Sequence, residues 1–296
     1  MIFDALRAHL RDDGDVTRIN QAIVAARRIV QASTQAMSID NLVDALEDEM
    51  LSMVAKAAIV RAIHQAEASC LCARWVRDNP GTLDLTGFHD HWYSSLSKLL
   101  FESLRLSNVD AIFDNLEIIN FNYDRCLEAY LPHSISNYYG IPLDAATALL
   151  DHLPMHRPYG IVGDPKTVGL GSVTTRQLMQ VATGIRTFTE QVEDETALAA
   201  IKNSLASADR IVFLGFAFHR QNLKLLEVGV QDHTEVLGTA FKVSDSDRAV
   251  IHEELIRTFG MDWGPAAPGK IELSGAKCAE FFSDNWRTLT AEPRDF

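Results

Sequence analysis

Apolar residues in the first third of the chain recur at helical spacing. Val16, Ile19, Ile23, Ala26 and Val30 step by three and four, which predicts one face of an amphipathic helix. A second run, "SIDNLVDALEDEM", sets Ile39, Leu42, Val43, Leu46 and Met50 on one side. Ser38 or Asp40 is the expected cap, since a short polar side chain accepts from the free N–H groups of a first turn. The pattern continues through Val54, Ile59 and Ile63 to about Val76, and "RDNPGTLD" (77–84) supplies the break. A further helix is expected from about His91 to Leu106, with Trp92, Leu96, Leu99 and Leu100 inward.

The periodicity changes at Leu116. "LEIINF" (116–121) is a short, β-branched apolar run, as expected of a strand buried on both faces. "IVFLGFAF" (211–218) and "TEVLGTAFKVS" (234–244) repeat that texture, and "PYGIVG" (158–163) is a fourth candidate. Helical patterns lie between them at Leu143–Leu150, Arg176–Ser207, Asn222–Leu226 and Asp245–Phe259. Strands alternating with helices predict a parallel sheet covered by helices on both faces. The expected fold class is therefore α/β, with a Rossmann-like sheet and a large helical N-terminal layer or insertion. The expected division is a mainly helical region over 1–110, packed on an α/β core with C-terminal helices over 111–296.

Ligands of such sheets bind beyond the carboxyl ends of strands, and three polar clusters fall at expected strand ends. Asn122, Tyr123 and Asp124 follow the first strand. The Asn122 amide offers both donor and acceptor to a sugar hydroxyl or a water. Asp124 either joins it or serves only as the cap of the next helix. His156, Arg157, Tyr159 and Gly160 form the second cluster, in "MHRPYGIVGD" (155–164). The third is "LGFAFHRQN" (214–222), where Gly215 lets a ligand approach the backbone. His219 and Asn222 follow it, and Asn222 has an alternative use as a helix N-cap.

Taken in order, these clusters resemble the SIR2-like family, the sirtuins and their distant relatives that bind or cleave NAD. "NFNYDRCLE" (120–128) is similar to the family's Thr-x-Asn-x-Asp strand end in its bacterial Phe-Asn-Tyr-Asp form. "PYGIVG" resembles the His-Gly or Tyr-Gly segment. "ASADRIVFLGFAFHRQNLKLL" (206–226) resembles the strand that flanks the adenosine, and "VLGTAFKVSDSDR" (236–248) the final core strand. The likeness covers roughly 116–250.

The resemblance implies NAD as substrate or ligand, and glycohydrolysis to nicotinamide as the activity. By it, Asn122 contacts the nicotinamide ribose, Asp124 supports the loop, and His156 or His219 is the base candidate. Tyr123, Tyr159, Gly160, Gly215, His219 and Asn222 line the cofactor. It also implies a cytoplasmic, bacterial protein, and a role in anti-phage defence. Two departures stand beside it. The family opens with a strand and a Gly-Ala-Gly-x-Ser phosphate loop, whereas Gly14 is the only glycine here before Gly81. A start codon placed too late, a trimmed fragment and a lost cradle are all open. Tyr159 also stands where sirtuins carry the histidine base. Both departures favour an alternative of another class, a catalytically inactive SIR2-like interaction or assembly module, with self-association or a protein partner as its function.

Composition adds exclusions. Lys plus Arg is 27 and Asp plus Glu is 40, a net charge of −13, which opposes nonspecific binding to nucleic acid or anionic membrane. No apolar stretch reaches the ~18 residues of a membrane helix, and "MIFDALRAHLRDDGD" lacks the pattern of a signal peptide. No metal is expected. The cysteines Cys70, Cys72, Cys126 and Cys278 show no Cys-x-x-Cys pair, which predicts reduced thiols. Cys70 and Cys72, two apart in a helical pattern, are expected on different sides. His89 and His91 in "FHDHW" keep a metal-dependent hydrolase open as a third reading. "VGLGSV" (168–173) reads as a turn. No Walker loop, Gly-x-Ser-x-Gly elbow or His-Glu-x-x-His helix is present.

Overall fold

The structure, a computed structural model, describes residues 2–11, 16–36, 38–73, 83–187, 190, 195–261 and 271–291. Along the chain these form helices α1 (Ile2–Arg11), α2 (Val16–Ala32), α3 (Ile39–Leu46), α4 (Glu49–Ser69) and α5 (Trp92–Phe101), then strand β1 (Ile118–Ile119). Next come α6 (Cys126–Tyr139), α7 (Leu143–Leu149), β2 (Met155–His156), α8 (Thr175–Thr183) and α9 (Glu195–Ser207). The chain continues through β3 (Arg210–Phe213), α10 (Arg220–Leu225), β4 (Glu235–Thr239) and α11 (Asp245–Thr258). β5 (Ile271–Ser274), α12 (Cys278–Asp284) and α13 (Trp286–Thr290) complete it. The architecture is mixed α/β.

The chain divides into two compact units. Met1–Leu83, Ile119–Tyr130 and Arg157–Glu193 build the first, and Asp84–Ile118, Leu131–His156 and Asp194–Phe296 build the second.

In the first unit, α4 packs against α1, α2, α3 and α8. Being enclosed, it buries residues around much of its girth, among them Leu51, Val54, Ala57, Val60, His64 and Glu67. Each large aliphatic side chain buried this way contributes about 1.5–3 kcal/mol. Ser38 caps α3, its hydroxyl accepting from the Asn41 N–H at 3.1 Å. α3 and α4 are separate helices rather than one run: Glu47 turns left-handed (φ 45°) and Asp48 caps α4 through the Leu51 N–H. α4 also ends at Ser69, short of the expected Val76, whose own placement lies outside the described residues.

The buried face of α2 differs from the expected one. Ala22 and Ala25 are in the core with Ile29 and Ala26 beside them, while Val30 is 72% exposed. Small alanines suit close packing of α2 on α4, so the contact stripe is set by Ala22 and Ala25 and not by the larger Val30.

The second unit carries a three-stranded parallel sheet in the order β3-β4-β5. Its register sets Arg210 opposite Glu235, and their side chains meet at 2.7 Å as a cross-strand ion pair. Ile211 and Phe213 of β3 and Val236 and Leu237 of β4 are buried. α11 packs on β5 and α10, and α12 on α5. β1 and β2 pair as a small two-stranded sheet, with the Ile118 N–H donating to the Pro154 carbonyl at 2.9 Å. The "PYGIVG" segment is a loop, not a strand; Gly160 makes one isolated antiparallel bridge to Ile185. The helix expected from His91 to Leu106 stops at Phe101, and a 3-10 turn over Leu106–Ala111 follows.

Candidate functional site

The turn that follows β1 is held at nearly every residue. The Asn122 N–H donates to the Asn120 side-chain oxygen at 2.9 Å, and the Asn122 carbonyl accepts from Arg157 Nη1 at 2.9 Å. Arg157 is itself paired with Glu128. The Tyr123 carbonyl accepts the Val162 N–H at 3.1 Å, and the Tyr123 hydroxyl donates to the Arg186 carbonyl at 2.7 Å. Asp124 caps α6 through the Cys126 N–H at 3.1 Å. The exposed Asn122 side chain is the exception, since it makes no hydrogen bond among the described residues. A backbone fixed on both sides therefore presents a free amide outward.

Beneath the turn lies a charged core. Glu67 accepts from the Arg125 N–H, Nε and Nη2 at 2.9, 3.0 and 2.6 Å, and from the Gly171 N–H at 3.0 Å. The rest of the Arg125 guanidinium is capped by the carbonyls of Gly163, Val168 and Gly169. The "VGLGSV" segment is thus the loop expected, and its carbonyls cradle a buried arginine. His64 donates through Nε2 to the Val162 carbonyl at 3.0 Å, and its Nδ1 lies 3.5 Å from Glu67 Oε2.

Tyr159 packs its ring edge-on to Phe121 at 5.7 Å and is 9% exposed. Burial, with the Asp40 charge second, pushes its phenol up to about 12. Tyr123 is raised for the same two reasons, in the same order. Burial, and then the nearby Glu190 charge, raises Asp40 in turn. Gly160 cannot be replaced freely: its φ is +82°, and a Cβ there would run into the Gly184 carbonyl oxygen.

The other candidates belong to the second unit. His156 on β2 has its Nε2 3.4 Å from Glu117 Oε2 and 3.3 Å from Ser204 Oγ, and the serine also donates to Glu117. Beyond β3, Gly215 (φ +61°) donates its N–H to Thr239 Oγ1 at 2.8 Å. Phe218 is also left-handed (φ 53°), a conformation unusual for a bulky residue. Its buried ring sits among Phe213 and Phe216. His219, exposed, occupies the N-cap position of α10 without a side-chain capping bond. Asn222 is therefore inside α10 and is not its cap. The helix starts two residues earlier than the apolar pattern suggests, because Arg220 and Gln221 are polar first-turn residues.

His89 and His91 do not converge. His89 pairs with Asp90 at 2.8 Å, while His91 accepts the Tyr93 N–H and caps α5. Among the described residues no group of three or more His, Cys, Asp or Glu side chains is arranged to hold a metal ion. Nor, among them, is any helix long and apolar enough to cross a membrane.

Glu67 and His64 are residues the sequence did not single out, and Arg157, named in the second cluster, was not expected to hold the Asn122 carbonyl. Arg125 stood inside the quoted motif, but nothing beside it announced a partner 58 residues away. No family model matches the chain, and no curated protein or solved structure matches it.

Proposed function

We propose that this chain is a SIR2-like protein that binds NAD or a related nucleotide, with glycohydrolysis to nicotinamide and an ADP-ribose product as its activity. The observation that carries the reading is the Asn122 turn. Both backbone groups of Asn122 are engaged by Asn120 and Arg157, so a held backbone presents the side-chain amide as a donor and acceptor of the kind a ribose requires. Three successive parallel strands joined through α10 and α11 support a Rossmann-like core. Gly215, two residues beyond β3 with positive φ, supports the adenosine side, with His219 and Asn222 next along the chain. The base candidates, His156 beside Glu117 and Ser204 or His219, follow from the family likeness alone. A part in anti-phage defence and a cytoplasmic location follow only from the family likeness.

One observation favours the assembly module as a second reading. Tyr159 stands at the histidine position with its phenol raised to about 12, so at neutral pH it holds its proton and is no base. Val24 and Val30 also leave apolar surface open on α2, at 63% and 72% exposure.

Incubating the purified chain with NAD, and following nicotinamide release beside sedimentation equilibrium, separates the readings. Release identifies a glycohydrolase. Binding without release identifies a nucleotide sensor. Self-association of a folded chain that neither binds nor cleaves NAD identifies the module.

A further inference from the structure

Two ion pairs withdrawn from water hold the chain around Asn122, and they differ in how fully they are bonded. Glu67 and Arg125 have their capacity met, by four donors on the carboxylate and three backbone carbonyls on the guanidinium. Glu128 and Arg157 do not. Their side chains are 17% and 11% exposed. Arg157 Nη2 donates to Glu128 Oε1, while Glu128 Oε2 is buried and has no hydrogen-bond partner among the described residues. A buried, unbonded carboxylate oxygen costs stability, and such groups are rare in folded proteins. Fold stability alone therefore does not account for this pair.

The other branch of the guanidinium supplies a reason. Arg157 Nη1 donates to the Asn122 carbonyl at 2.9 Å. The guanidinium is planar and its branches keep a fixed geometry, so a carboxylate that orients one branch orients the other. Glu128 stands in the first turn of α6. Helix, carboxylate, guanidinium and carbonyl thus form a chain of contacts that ends at the residue with the exposed amide.

We propose that Glu128 is a positioning residue for ligand binding: through Arg157 it fixes the Asn122 backbone, and so the direction in which the side-chain amide is presented. The inference rests on the Asn122 reading of the site. Glu128 acts through Arg157 and not on the ligand, since its second oxygen is enclosed. Burial is the main cause that raises the Glu128 carboxyl above its ordinary 4.5, outweighing Arg157; the Asp124 charge adds to the rise. As pH falls through that raised value the carboxylate takes a proton, and its hold on Arg157 weakens.

The test has two arms. In the first, the full chain is labelled with 13C and 15N, and the Asn122 carbonyl shift is followed against pH by NMR. It is expected to titrate with a midpoint above 4.5, and to be displaced and lose that step in Glu128→Gln. In the second, NAD is titrated calorimetrically into the wild type, Glu128→Gln and Arg157→Lys at neutral pH. Both variants are expected to bind at least tenfold more weakly, because glutamine cannot hold the guanidinium as firmly and an ammonium lacks the two-branched plane. An Asn122 carbonyl that ignores Glu128, or NAD affinity unchanged in both variants, overturns the inference and leaves the Asn122 reading standing. Absence of NAD binding by a folded wild type overturns both. The wild-type titration decides the first arm even if a variant does not fold.

Discussion

Arg125 Nη2 lies 2.6 Å from Glu67 Oε2, and the two side chains are only 2% and 0% exposed. The pair is stable there because its remaining bonding capacity is met. Four donors reach the carboxylate, and three backbone carbonyls take up the guanidinium. It therefore fixes the start of α6, and with it the turn that bears Asn122.

Removing one partner leaves a buried charge uncompensated. Glu67→Ala and Arg125→Ala are each expected to lose about 3–5 kcal/mol of unfolding free energy, read from urea denaturation. A loss below about 1 kcal/mol in either variant would mean that the pair is not buried in solution.

His64 gives the chain a pH dependence of definite sign. Burial is the main cause that lowers its basicity from the ordinary 6.5, outweighing the Glu67 carboxylate; Arg125 and Arg61 add to the lowering. The unfolded chain then binds a proton at a higher pH than the folded one. The stability His64 allows is complete above about 6.5 and is lost as pH falls from there toward the depressed folded value. Half-buried His91 and His133, each lowered by partial desolvation, act in the same direction. Asp40 and Glu128 are raised by burial, so their contributions are lost as pH rises above their ordinary values of 3.8 and 4.5. Urea midpoints are expected to fall between pH 7.5 and pH 5.5, less steeply in His64→Gln, whose amide can still donate to Val162. A wild-type midpoint that does not change over that range would contradict this.

Gly160 is a backbone constraint rather than a contact. Gly160→Ala sets a methyl against the Gly184 carbonyl at a φ of +82°. It is expected to cost about 1–3 kcal/mol, with a lower thermal midpoint. An unchanged midpoint would mean that the loop rearranges freely.

The sequence revealed what is periodic or local. Ser38 announced a cap, the apolar runs around Ile211 and Val236 announced β3 and β4, and Asp124 announced the start of α6. It did not reveal what depends on partners far along the chain. "PYGIVG" reads as a strand because Val162 is apolar and fully buried, yet the segment is a loop whose carbonyls serve His64 and Arg125. β5 went unseen because four residues with only Ile271 fully buried make too short a pattern. α4 was read as too long because the apolar pattern runs past its true end at Ser69. Asn122 and Asp124 could be read as a site because a polar turn between apolar runs is a local signal. The Arg157 clamp that makes Asn122 a presented amide was not local.

The most direct measurement is a calorimetric titration of NAD into the wild-type chain and into Asn122→Ala. The Asn122 side chain is exposed and makes no hydrogen bond among the described residues, so the variant is expected to keep its stability within about 0.5 kcal/mol. The account predicts saturable NAD binding by the wild type, weakened tenfold or more in Asn122→Ala. Equal binding by both chains, or none by a folded wild type, would contradict it.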